Sequence, residues 1–144
     1  MKNEKYYTPN IEDIRVGYEC EICPNLGYDD EWIKVIGKCK EVLGNGVKDC
    51  NLAELTYDCL IDSHIGIRTS YLTKEQIEKE DWLFKVSYGD AERFSKANYN
   101  IFYYYKDCML SVIMTKETKE DISIFGGKCN SINEFRWICK LLNI

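Results

Sequence analysis

The stretch NYNIFYYYKDCMLSVIMT, residues 98–115, decides the fold. It is crowded with aromatic and β-branched residues, which favour strands, and is interrupted once by the polar pair Lys106 and Asp107. Two strands joined by a tight turn are therefore expected. In a strand, side chains alternate between faces, so Tyr103 and Tyr105 share one face while Phe102 and Tyr104 share the other. One set is expected to enter the core and the other to meet water or a partner. Working outward, DWLFKVSYG (residues 81–89) adds a strand before this pair. EDISIFGGKC (residues 120–129) adds another after the polar loop KETKE. The tail SINEFRWICKLLNI (residues 131–144) changes period. Phe135, Ile138, Cys139 and Leu142 fall on one helical face, and Ser131 with Glu134 has capping-box spacing. Strands dominate with no βαβ rhythm, which predicts a single α+β domain: an antiparallel sheet with short helices and the C-terminal helix packed on it.

The first half reads in the same terms. RVGYECEIC (residues 15–23) puts Val16, Tyr18, Cys20 and Ile22 on one face and Glu19 and Glu21 on the other. After the turn formers of PNLGYDD, the run EWIKVIG suits an antiparallel partner. LGNGV marks a further turn. Residues 51–62 place Leu52, Leu55, Cys59 and Leu60 at helical spacing behind Asn51 as N-cap. IGIRTSYL (residues 65–72) is extended, and Thr73 with Gln76 then forms a capping box. Leu72 before that cap is placed to staple Ile77, and Trp82 covers the far end. The corner from Arg68 to Trp82 is conformational in purpose.

Composition bounds the function. A chain of 144 residues buries roughly two-thirds of its unfolded surface, enough for a real core. The formal net charge is −5, and the 19 basic residues are scattered singly, so no polyanion footprint exists and nucleic acid and anionic membrane are not expected partners. Neither a secretory leader nor an uninterrupted apolar span is legible, and a soluble cytosolic protein is expected. Eight cysteines without an export signal read as reduced thiols.

Candidate chemistry is thin. Cys20-x-x-Cys23 is half of a zinc or redox motif, but no second knuckle follows. On a strand, residues three apart point to opposite faces, and Glu19 and Glu21 oppose thiolate formation. His64 is the single histidine, so any Cys-His or Ser-His mechanism must use it. Its neighbours Asp62 and Ser63 are consecutive in sequence, and consecutive residues rarely line up as nucleophile, base and acid, so a solvated turn histidine is expected. GNG (residues 44–46) and FGGK (residues 125–128) lack phosphate-loop spacing and read as turns. No catalytic residue, cofactor or metal is expected. The tyrosines Tyr103, Tyr104 and Tyr105 are the candidate partner-binding residues, because tyrosine offers large contact area at small entropic cost.

Three blocks carry a resemblance: YYTPNIEDIRVGYECEI at the front, RTSYLTKEQIEKEDW in the middle and SINEFRWICKLLNI at the end. Together, in this order, they resemble a family of small proteins encoded by tailed bacteriophages of gut Bacteroidales, including the crAss-like phages. The resemblance covers about a third of the chain. It implies a phage accessory protein and carries over no catalytic residue. The expected function is non-enzymatic: stoichiometric binding to a host protein in the host cytosol, in a role such as countering host defence. A sequestering module for a small nucleotide signal is the alternative, and needs Arg15, Arg68, Arg93 or several lysines to converge on one pocket. An unrecognised hydrolase is the third reading, and needs His64 or a reactive cysteine inside such a pocket.

Overall fold

The computed structural model describes residues 5–10, 18–23, 32–36 and 66–144. Glu4–Ser70 forms one compact unit and Tyr71–Ile144 lies in another. The chain is α+β and antiparallel, as its patterning requires, but the one sheet expected from the sequence is two. The helix expected over residues 51–62, the loop of residues 24–31, the GNG turn, Arg15, His64, Cys39, Cys50 and Cys59 lie outside the described residues.

In the first unit, β1 (Tyr6–Tyr7), β2 (Glu19–Cys23), β3 (Ile33–Ile36) and β4 (Gly66–Ser70) form a sheet in the order β1-β4-β2-β3. Register places Glu21 opposite both Lys34 and Arg68. The carboxylates of this face are therefore met from both neighbouring strands. Lys34 Nζ lies 2.6 Å from Glu19 Oε1, and Arg68 Nη2 donates to Glu21 Oε1 at 2.9 Å. Tyr6 and Trp32 then close over the Arg68 guanidinium, with ring centroids 3.8 and 4.1 Å from its central carbon. On the opposite face the Tyr18 hydroxyl and Thr69 Oγ1 share a buried hydrogen bond of 3.0 Å.

The second unit begins with α1 (Lys74–Lys79), and here the sequence signal is realised in full. Thr73 Oγ1 accepts from Gln76 N–H at 3.2 Å, and the Gln76 side chain accepts from Thr73 N–H at 3.0 Å. Leu72 and Ile77, the stapling pair, are both buried. A meander follows: β5 (Leu83–Tyr88), β6 (Ala91–Lys96), β7 (Tyr99–Tyr104), β8 (Met109–Thr115) and β9 (Asp121–Lys128), each pairing antiparallel with the next. Strand β6 has no counterpart in the sequence reading. It is entered through Gly89, whose φ of +62° only a residue without Cβ adopts freely. FGGK is a correction as well: Gly126 and Gly127 are not a turn but lie inside β9, opposite Ser111 and Leu110.

Helix α2 (Ile132–Leu142) ends the unit. Ser131 Oγ accepts from Glu134 N–H at 3.4 Å, as its spacing predicts. The returning half of the box is displaced by one residue, because the Glu134 carboxylate takes Asn130 N–H. Asn143, at φ 59°, closes the other end: its N–H and that of Ile144 donate to the carbonyls of Lys140 and Cys139, satisfying the last turn. Ile132, Phe135 and Ile138 are buried. They join Leu72, Ile77 and Trp82 against Phe94, Ile101, Tyr103, Leu110 and Val112 in one core. Both helices therefore serve a single face of the five-stranded sheet.

Candidate binding face

The register of β5 to β9 decides what the other face presents. Phe94 pairs with Ile101, Ile101 with Val112 and Tyr103 with Leu110, and all of these are buried under the helices. The alternate residues must point away. They form three cross-strand rows. The first runs Tyr88, Ala91, Tyr104, Met109 and Lys128; the second Val86, Arg93, Phe102, Ser111 and Gly126; the third Leu83, Ser95, Asn100, Ile113 and Ser123. Bulges between Phe84 and Val86 and between Val112 and Ile113 keep the third row on the same face as the other two.

The three candidate tyrosines separate accordingly. Tyr103 is 1% exposed, and its hydroxyl donates to the Cys129 carbonyl at 2.6 Å. It has no surface to offer a partner and is withdrawn from the contact. Tyr105 follows the end of β7 and turns inward, its ring edge-to-face with that of Tyr103 at 4.9 Å. Its hydroxyl is buried without a hydrogen bond. Burial first, and then Glu92 beside it, push this phenol well above its ordinary pKa. Tyr104 alone faces outward, 40% exposed.

Tyr104 is not isolated. Among the described residues six large hydrophobic side chains are exposed, and four of them, Leu83, Val86, Tyr88 and Tyr104, lie on this one face. Tyr88 leans on Phe102, ring centroids 6.1 Å apart. Ala91 is covered between Tyr88 and Tyr104, while Gly126, beside Ser111, leaves open space at the other side of the face. The sequence pointed to Tyr104 but missed Val86 and Tyr88. They join it only through β6, the strand the sequence did not announce.

Charge on this face is sparse. Arg93 stands in the middle row, half-buried, with Nε and Nη2 donating to Asn100 Oδ1 at 3.1 and 3.0 Å. Lys128 reaches the Asp107 carbonyl at the end of the first row. Asp121, at the sheet corner, accepts from Thr115 Oγ1 at 2.8 Å.

The remaining candidates sit elsewhere. Cys20 and Cys23 are buried and unlinked on opposite faces of β2. Burial, then Glu21 and Glu19, push the Cys20 thiol up to about 12. Among the described residues no cluster of metal-ligating side chains occurs, and no helix is long and apolar enough to cross a membrane. One open cleft, of about 280 Å³, is lined by Glu80, Asp81, Trp82, Lys96, Arg136 and Lys140, with Cys139 in its wall. Two of its three cations are engaged: Arg136 pairs with the Glu80 carboxylate and Lys96 Nζ donates to the Glu80 carbonyl. Burial pushes Cys139 up to about 11, although Lys96 opposes the shift, and a protonated thiol is a poor nucleophile. Arg68 and Arg93, two of the arginines that a nucleotide site would need together, are not among the residues lining this cleft.

No family model matches the chain, and no match emerges among curated proteins or solved structures. Of the three sequence blocks singled out above, the middle one runs from β4 into α1 with its capping box, and the last is α2 with its caps.

Proposed function

We propose that the chain works without catalysis, by stoichiometric binding of a protein partner through the outward face of the five-stranded sheet. The observation that carries this reading is the gathering of Leu83, Val86, Tyr88 and Tyr104 on one face, while the opposite face is sealed by helices. Contiguous apolar surface of this kind marks interaction sites, and tyrosine is enriched where binding energy concentrates. The resemblance to small proteins of Bacteroidales phages makes a host protein the expected partner, with interference in host defence as the role. Affinity capture from infected Bacteroidales cells, with the tagged chain as bait, tests the reading. A host protein recovered at one-to-one stoichiometry, and lost with Tyr104→Ala, is the expected result.

The sequestration of a small nucleotide is the second reading, favoured by the approach of Lys96, Arg136 and Lys140 around one cleft. Glu80 and Asp81 line the same cleft and weigh against a dianion. Titration of the purified chain with a panel of cyclic and linear nucleotides separates the two readings. Tight binding abolished by Lys96→Ala would replace the first with the second.

A further inference from the structure

Arg93 gives the proposed face a chemical preference. Of the three described arginines, Arg68 pairs with Glu21 and Arg136 with Glu80; Arg93 has no carboxylate partner. Its acceptor is the neutral Asn100, which holds Nε and Nη2 and thereby fixes the plane of the guanidinium. Cross-strand neighbours Val86 and Phe102 flank it on either side. A half-buried cation among apolar side chains, in a chain of net charge −5, is a charge left without its counterpart. Charge on an interface of this type selects its partner by complementarity.

We infer that the face receives an apolar protein segment bearing a carboxylate, Asp or Glu, that pairs with Arg93 at the centre of the contact. The inference rests on the binding-face reading and adds the chemistry of the partner to it. Tyr88, Phe102 and Tyr104 supply the apolar contact and exclude water. The guanidinium, already oriented by Asn100, loses little further freedom when the carboxylate arrives. A second copy of the chain is a poor occupant, because face-to-face pairing about an axis through the middle row would set Arg93 against Arg93. The outer side of α2 is no better matched, since it presents Arg136 and Lys140 beside Trp137 and Leu141.

The test pans a yeast-displayed library of random dodecapeptides against the full chain. Synthetic copies of the enriched peptides are then measured by fluorescence anisotropy on wild type and on Tyr104→Ala, Arg93→Lys, Arg93→Gln and Arg93→Glu. The expected peptides require Tyr104, carry Asp or Glu between apolar residues and weaken as salt rises. Arg93→Gln should lower their affinity roughly tenfold or more, and Arg93→Lys, which keeps the charge without the planar fork, should lower it less. Panning against Arg93→Glu should enrich Lys or Arg at the same place. Arg93→Lys also guards against a folding defect from loss of the Asn100 contact, as each variant's melting curve will show. Peptides that need Tyr104 but show no acidic preference and ignore both Arg93→Gln and Arg93→Lys would overturn the inference and leave the binding face standing. A library yielding no Tyr104-dependent peptide would overturn both. So would sedimentation showing that the chain dimerises through Tyr104.

Discussion

Neighbouring tyrosines with opposite duties are the sharpest feature at the scale of single residues. Tyr103 Oη donates to a carbonyl inside the core, so Tyr103→Phe leaves the Cys129 carbonyl without its partner in a dry setting. That change should lower stability by about 1–3 kcal/mol in denaturant titration. Arg68 is a second point of this kind. A lysine there keeps charge toward Glu21 but loses the flat guanidinium held between Tyr6 and Trp32. Arg68→Lys should cost roughly 1–2 kcal/mol by the same measurement. The thiols give a pH dependence with a definite sign. Cys139 and Cys20 are raised by burial from 9.0 to about 11 and about 12. The unfolded chain therefore releases these protons first, and their contribution to stability is whole below about pH 9 and lost as pH rises through the folded values. Melting temperature should fall across this alkaline window, and more gently in Cys139→Ser. An alkaline profile for Cys139→Ser that matches wild type would remove that thiol from the account.

At the scale of elements, the legible parts were those whose cause lies within a few residues. The capping box at Thr73, the helix start at Ser131, the turn at Lys106 and Asp107 and the loop of residues 116–120 are local chemistry, and each falls where its residues place it. Strand β6 was illegible for an equally physical reason. Its buried residues, Ala91 and Phe94, are three apart and so face opposite ways, which destroys the period of two. Phe94 enters the core opposite Ile101, while Ala91 is covered on the outward face between Tyr88 and Tyr104. The glycines of FGGK misled in the other direction. Their freedom of backbone suggested a turn, while the pairing of β8 with β9 holds them extended. Helix α2 offers the clearest elemental test. Phe135 is fully buried, with its ring 6.1 Å from that of Trp82, and Phe135→Ala should cost about 3–5 kcal/mol in thermal or chemical denaturation. A loss below about 1 kcal/mol would detach the helix from the sheet.

For the whole molecule, the alternation visible in residues 98–115 carried half of the functional argument. It showed that Tyr103 and Tyr104 must part company. Which of them goes inside depended on partners remote in sequence, the helices that cover Ile101, Tyr103, Leu110 and Val112. The composition of the outward face was likewise beyond local reading, because Tyr88, Arg93 and Tyr104 meet only through β6. What results is a sheet with one face committed to the core and one that exposes Leu83, Val86, Tyr88 and Tyr104 around Arg93, a cation with no carboxylate partner. The central claim is that this second face binds a protein, and calorimetry with the captured host protein tests it most directly. Tyr104→Ala should weaken binding by about 1 kcal/mol or more, roughly fivefold or greater, while the melting temperature stays at the wild-type value. Unchanged affinity in a fully folded Tyr104→Ala chain, alongside unchanged affinity in Tyr88→Ala, would contradict the account.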